Sequence, residues 1–286
     1  MQSGLRMLVI WLAVALCATA ANVRADESEV LAKRILDALD RPVGLAHLSR
    51  CDRGALALAF AEADDGLVVH GQDADPSAVA AAREAADERD VLNRRVSFDI
   101  GSLDRLLPVS RSCDLVVLTD LDQQELTPAL AAEVRRVLHP WYGVAVLGDI
   151  SGQLRTNALT DWAKRIAPDT SRLDGVGNLV IVRAEPLNGA DNWTHWWHGP
   201  DNNAVSNDYA YSLPETVQWT GKPYFSTRLE LPIVANGRLF MLWNGHLLDA
   251  TPGEPVLPGE EVALRTHGWE TVLDGPLSEQ RGPLLT

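Results

Sequence analysis

The chain has 286 residues, of which 46% are hydrophobic and 22% charged, with a formal net charge of −14. That length accommodates two domains, and the apolar content is ample for a core. The acidic balance, with no run of Lys and Arg anywhere, excludes a nucleic-acid partner, whose phosphates need basic patches.

Residues 1–25 read as a targeting segment. Arg6 supplies a positive start, and the apolar run from Met7 to Ala20 is too short to span a bilayer comfortably. Small residues at 18–20 or 23–25 suit a cleavage site, and cleavage after Ala25 is the preferred reading. An exported, periplasmic or cell-envelope protein with no stable membrane span is therefore expected. Two cysteines, Cys51 and Cys113, follow the leader. Their expected positions at opposite ends of neighbouring strands put them beyond disulfide reach, so free, buried thiols are expected.

From Ser28 onward helix and strand alternate. Ser28 caps a helix whose apolar face carries Leu31, Ile35, Ala38 and Leu39. The spacing then predicts strand 43–48, helix 54–63, strand 66–73, helix 76–90 with Pro76 in its first turn, and strand 95–100. Strand 113–120 is apolar on both faces, as a central parallel strand is. Helix 127–138, strand 142–149, helix 158–167 and strand 177–185 complete the series. Such alternation means an α/β, Rossmann-like doubly wound parallel sheet, whose ligands bind at the carboxyl ends of the strands.

Over about residues 28–185 this series resembles the class I S-adenosylmethionine (SAM) methyltransferase domain. The segment "LSRCDRGALA" (48–57) stands where that family has a glycine-rich loop, "GQDADPSAV" (71–79) where it ends strand two, and "GSL" (101–103) where it follows strand three. "EVRRVLHPWYGVAVLG" (133–148) resembles its helix, turn and fifth strand. The resemblance implies a cofactor site built from Asp52, Gly54, Asp73, Gly101 and Ser102. Asp73 takes the place of the acid that binds the ribose hydroxyls, and Ser102 that of an acid near the adenine. The first loop keeps only Gly54; Ser49, Cys51 and Arg53 stand near where glycines let the backbone approach the cofactor. Trp141 and Tyr142 replace one glycine of the later turn. A domain of 26–186 that has lost its close cofactor approach is one reading, and an active SAM-dependent methyltransferase is the other. No methyl acceptor and no catalytic residue is legible.

After residue 186 the periodicity changes. Six of the nine tryptophans lie between 193 and 269. Short strands are expected at 216–219, 228–234, 238–243, 246–250, 261–265 and 270–273, with Asn236-Gly237 and Asn244-Gly245 as tight hairpin turns. "NGRLFMLWNGHLLDATPGE" (236–254) resembles one repeat of the pyrroloquinoline quinone (PQQ)-type β-propellers. The segment 191–208 resembles the opening stretch of such propellers in exported proteins that join them to a methyltransferase-like domain. Residues 187–286 suffice for that stretch and about one blade, so an all-β partial propeller is expected, either from a truncated open reading frame or incomplete as such. An incomplete propeller leaves edge strands open to a protein partner. A blade alone builds no PQQ site, which leaves a quinoprotein dehydrogenase fragment as the weakest reading.

In "NWTHWWHGPDNN" (192–203), His195, His198 and Asp201 are spaced three apart, a pattern that on a helix presents metal ligands. Gly199-Pro200 breaks any helix and no third strong ligand is near. The cluster is therefore expected to be structural, with its tryptophans buried at a domain boundary. Taken together, the sequence supports a binding or scaffold protein more readily than an enzyme.

Overall fold

In a computed structural model the described residues are 27–39, 44–195, 197–210, 230–235, 238–243 and 246–249. The expected leader, both Asn-Gly turns and the strands expected at 216–219, 261–265 and 270–273 lie outside them. The chain divides into two units, Met1–Glu185 and Pro186–Thr286. Among the described residues no helix is long and apolar enough to cross a membrane.

The first unit holds a helix over 27–37 (α1), β1 (Leu45–Leu48), α2 (Ala55–Ala63), β2 (Val68–Asp73), α3 (Pro76–Asp87) and β3 (Val96–Ile100). It continues with β4 (Leu115–Leu118), α4 (Pro128–Val137), β5 (Val144–Asp149), α5 (Thr156–Ala163), β6 (Thr170–Arg172) and β7 (Asn178–Arg183). The seven strands lie in the order β3-β2-β1-β4-β5-β7-β6. Strands β1 to β5 are parallel, and the order reverses between β1 and β4, the position where an open α/β sheet offers a crevice.

The expectation of a wholly parallel sheet needs correction at one edge. β7 runs antiparallel to β5, and β6 antiparallel to β7. β6 was invisible in the sequence because Thr170, Ser171 and Arg172 carry no apolar alternation. It turns the chain back after α5, so β7 re-enters the sheet from the other end.

Local chemistry sets the helix starts. Asp75 caps α3 by accepting from the Ser77 N–H at 2.8 Å, and Thr127 caps α4 by accepting from the Leu130 N–H at 3.1 Å. Pro76 and Pro128 follow directly, where a missing N–H costs nothing. Strand alternation then sorts the core into two layers. Ala46, Leu48, Val69, Phe98 and Val117 pack with α1 to α3 on one face. Val116, Leu118, Ala145 and Leu147 pack with α4 and α5 on the other. Between β3 and β4 the chain runs through 101–114 without a helix. Leu103 and Leu106 of that stretch cover part of the second face.

In the second unit, β8 (Glu230–Ala235), β9 (Arg238–Trp243) and β10 (His246–Asp249) form an antiparallel meander in the order β10-β9-β8. Ala235 pairs with Arg238 and Trp243 with His246, so each connection is two residues long, as expected for Asn-Gly hairpins. The described strands make one sheet of three and no closed propeller.

The segment 188–210 is gathered on Asp191. Its carboxylate accepts from His198 Nε2 at 2.6 Å, the Asn207 N–H at 2.6 Å and Ser206 Oγ at 3.3 Å. The Asn207 N–H and His198 hold that carboxyl low, at about 2. Residues 194–198 close a tight turn, with the Thr194 N–H donating to the His198 carbonyl at 3.0 Å. The expectation that the tryptophans are buried fails at Trp197. His198 is tied into a polar knot, with Trp193 edge-on to its ring at 5.3 Å, whereas Trp197 is 52% exposed.

Candidate functional site

The carboxyl ends of β1, β2, β3 and β4 carry the residues singled out from the sequence. After β1 the chain makes a 3-10 turn over Asp52–Gly54 in which three successive residues have positive φ: Asp52 at 30°, Arg53 at 60° and Gly54 at 85°. Only glycine adopts this without strain; for other residues the left-handed region costs roughly 1–2 kcal/mol each. The loop therefore keeps a glycine-type backbone path although two of those positions carry side chains. Cys51, with φ −93°, does not need glycine. Trp141, in the later turn, repeats the pattern at φ 71°.

Gly54 faces away from the crevice. A Cβ there would lie 3.1 Å from the Ala82 Cβ on α3 and 3.2 Å from Phe98 Cζ, so its lack of a side chain lets α2 and α3 close on the sheet. Asp52 is exposed beside it. Asp73, at the end of β2, is half-buried; its Oδ1 accepts from the Asp75 N–H at 3.0 Å, fixing the turn into α3. Its Oδ2 lies 3.9 Å from Cys51 Sγ. The Gly101 N–H donates to the Asp73 carbonyl at 2.9 Å, so β2 and β3 end side by side. Ser102 is exposed, its hydroxyl 3.5 Å from Asp104 Oδ2. Asp73, Gly101 and Ser102 are thus brought together, Asp52 is exposed in the loop after β1, and Gly54 serves packing.

Three further side chains shape this end of the sheet, and sequence reading missed all three. Arg50 reaches from the loop after β1 to the loop after β4. Its guanidinium pairs with the Glu125 carboxylate, donates to the Asp120 carbonyl at 3.0 Å and lies 3.3 Å from the Asp120 carboxylate. Glu125 also accepts from the Asp122 N–H at 3.0 Å, so the second loop is closed on itself as well. Gln72, fully buried on β2, donates to the Ser102 carbonyl at 2.8 Å and accepts from the Leu107 N–H at 2.8 Å. That carboxamide fastens 101–107 against the sheet. An alternating polar residue inside an otherwise apolar strand was the one available signal for Gln72. No spacing rule announces the Arg50–Glu125 pair, which is 75 residues apart in sequence.

Cys51 is 2% exposed and packs against Gly71, where an added Cβ would come within 3.1 Å of its own. Burial, with the Asp73 charge beside it, pushes the thiol up to about 12. Cys113, before β4, is also buried and pushed up to about 12, so neither thiol is activated as a nucleophile. Among the described residues no group of three or more His, Cys, Asp or Glu side chains is gathered closely enough to hold a metal ion.

Comparison with known proteins agrees with this geometry. Residues 50–141 match the family model described as a methyltransferase domain. The match begins in the loop after β1 and ends in the turn before β5, so the first unit carries a methyltransferase-like domain on a Rossmann-like α/β sheet. No curated protein matches the chain significantly. Among solved structures, a Methanococcus maripaludis protein named as an S-adenosyl-L-methionine-dependent methyltransferase is 12% identical. That alignment covers 57% of this chain and 87% of that one, with a TM-score of 0.48. A Pyrococcus horikoshii protein is 16% identical over 53% of this chain and 86% of its own, with a TM-score of 0.41. A Nostoc punctiforme protein named as an O-methyltransferase is 13% identical over 56% of each chain, with a TM-score of 0.44.

Proposed function

We propose that this is an exported binding or scaffold protein whose methyltransferase-like domain no longer takes up SAM, and whose second unit is a PQQ-type propeller repeat that engages a protein partner. The observation that carries the first clause is the pairing of Arg50 with Glu125 across the switch point, supported by the position of Cys51. A ligand at a switch point needs the loops after the two flanking strands to stand apart. Here the chain's own ion pair and the Asp120 carbonyl draw them together. Cys51 sulfur fills the ground beside Asp73 that a glycine would leave open. The residues present therefore do not fit SAM as they stand. Isothermal titration of the full chain with SAM tests this: no heat of binding is expected up to high micromolar ligand, and a micromolar dissociation constant overturns the proposal.

An active SAM-dependent methyltransferase is the second reading. The left-handed path through 52–54 favours it, together with a half-buried Asp73 carboxylate in the place of a ribose acid. The same titration decides between the two.

Export is supported by the Arg6 and apolar-run pattern, and N-terminal sequencing of protein recovered from the periplasm should begin at Asp26. A binding role for the second unit is supported by its meander, in which β8 and β10 pair, among the described residues, on one side only. A partner would add a strand there.

A further inference from the structure

Three adjacent strands carry a row of polar side chains on one face of the sheet. β1 contributes His47, whose register partner on β2 is His70. Direct partners share a face, and so do residues two apart, so Gln72 and Asp99 lie on that face too, Asp99 as the β3 partner of Gln72. His47 and Gln72 are both 0% exposed, whereas Asp99 is exposed. The row therefore runs from the surface into the interior.

The pair at its centre shares one proton. His47 Nδ1 lies 2.9 Å from His70 Nδ1 with the rings 16° from parallel, and His70 Nε2 lies 3.3 Å from Asp99 Oδ2. A carboxylate only accepts, so neutral His70 carries its proton on Nε2 and offers a lone pair at Nδ1. His47 then donates from Nδ1 and keeps its lone pair on Nε2. Burial pushes both rings down, His47 to about 3 with the charge of His70 as the second cause, while the Asp99 bond opposes the fall at His70. The charged groups set against the pair are Asp99 and, beyond it, Arg83 of α3, which donates to Asp99 Oδ1 at 3.0 Å. From β4 the register partner of His47 is Val116, which is apolar.

One added proton rearranges the row. Two N–H groups cannot face each other across so short a bond, so the pair takes up one proton and not two while that bond lasts. The added proton sits on His47 Nε2, the shared proton crosses to His70 Nδ1, and the positive charge comes to rest on His70 against Asp99. The balance is one proton gained from solvent, with only N–H bonds made and broken. His47 has thereby become a donor at Nε2. The acceptor it meets is Gln72, whose side chain hydrogen-bonds to His47 in the sense that favours its charged form. That carboxamide is already in use. Its Oε1 accepts from the Leu107 N–H at 2.8 Å, and its Nε2 donates to the Ser102 carbonyl at 2.8 Å. A carbonyl oxygen has two lone pairs, so Oε1 serves both donors, each bond being weaker for the sharing.

We propose that His70, His47 and Gln72 form a proton-operated relay: a proton taken up by the histidine pair switches the tautomer of His47 and loosens the hold of Gln72 on residues 101–107. The relay ends at Gly101 and Ser102, and the Gly101 N–H is bonded to the Asp73 carbonyl, so the strand ends respond to pH. The relay is independent of whether SAM binds.

The test is a pH titration of the ¹⁵N-labelled full chain by nuclear magnetic resonance, reading histidine rings and backbone amides together. Both rings are expected to move with one midpoint below 6.5, His47 passing from the Nδ1–H to the Nε2–H tautomer. The Leu107 amide should shift with the same midpoint. Its protection against hydrogen exchange, corrected for the intrinsic pH dependence, should fall roughly fivefold. Asp99→Asn, at an exposed position, removes the charge that steadies the protonated pair and should lower the common midpoint by about 1 pH unit. A Leu107 amide that stays fixed while the rings titrate, separate midpoints for the two rings, or an Nε2–H tautomer of His47 at neutral pH overturns the proposal. So does a midpoint unmoved by Asp99→Asn, or loss of the helical circular-dichroism signal before either ring titrates.

Discussion

Replacing Gly54 by alanine and Arg53 by glycine should move stability in opposite directions. At Gly54 the backbone sits at φ +85°, and a methyl group would meet the Ala82 Cβ at 3.1 Å, its Cα at 3.2 Å and Phe98 Cζ at 3.2 Å. The left-handed conformation costs an alanine roughly 1–2 kcal/mol. Forcing a methyl against a helix backbone and a buried ring adds about 1–3 kcal/mol. The stiffer unfolded chain returns about 0.4–1 kcal/mol. Gly54→Ala should therefore cost about 1–4.5 kcal/mol. Arg53, exposed at φ +60°, has no such contact to lose. Arg53→Gly releases the left-handed penalty and costs about 0.5–1 kcal/mol of backbone entropy, leaving a net effect between zero and about 1.5 kcal/mol of stabilisation.

Urea unfolding of the full chain, followed at the helical circular-dichroism band, is the appropriate assay, because the helices among the described residues all lie in the first unit. With a urea slope of about 2 kcal/mol per molar, Gly54→Ala should lower the midpoint by about 0.5–2 M and Arg53→Gly should leave it unchanged or raise it by up to about 0.7 M. A Gly54→Ala midpoint within about 0.2 M of wild type, or an Arg53→Gly loss of similar size, would show that the loop does not follow the left-handed path.

Asp149, buried at the end of β5, accepts from Ser151 Oγ and from the N–H groups of Ser151, Gln153 and Leu154. Burial alone would raise its pKa, but these bonds outweigh it and hold the carboxyl low. Asp149→Ala should cost about 2–4 kcal/mol in the same assay, since it strands three donors. His47 is pushed from 6.5 down to about 3 in the fold, so its neutral form stabilises the protein above about pH 6.5, and that contribution is lost as pH falls toward 3. At pH 5 the wild type should have lost about 2 kcal/mol through this residue, and parallel pH–stability curves for wild type and His47→Phe would refute it. Both thiols are raised from 9.0 to about 12, so their contribution is present below about pH 9 and lost between pH 9 and 12. Iodoacetamide should label neither Cys51 nor Cys113 appreciably at pH 8 without denaturant, and rapid labelling of either would refute the burial argument.

The elements with strong periodicity were legible. Helices with Pro at the first turn, and strands such as Leu115–Leu118 that are apolar on both faces, sit within a few residues of where the sequence puts them. β6 was not, because three polar residues give no alternation and the strand exists only through pairing with β7. The ends of β2 and β3 were legible as strand ends because Asp73 and Gly101 follow runs of defined register. Arg50–Glu125 and His47–His70 were not, because which strands are neighbours decides them and periodicity does not report neighbours. His47 pairs with His70 through the β1–β2 register, a fact available only once the order β3-β2-β1-β4 is known. Trp197 misled for a related reason: composition says that indoles seek burial, but it does not report the turn closed by Thr194 and His198, in which Trp197 is 52% exposed.

The loop after β1 separates what backbone and side chains contribute to a site. Its path through Asp52, Arg53 and Gly54 is the one glycines would take, and Trp141 takes such a path in the later turn. Left-handed residues other than glycine persist only when the surroundings over-determine them. Here the surroundings are the close packing of Gly54 on α3 and Phe98, which fixes the start of α2 regardless of what precedes it. The path is thus held from the helix side, while the crevice side is free to change. Cys51 has filled the space beside Asp73, and Arg50 has found Glu125. A loop shape of this kind therefore indicates how the helix packs, and it carries no guarantee that a cofactor is bound. The side chains facing the crevice carry that information, and in this chain they face one another.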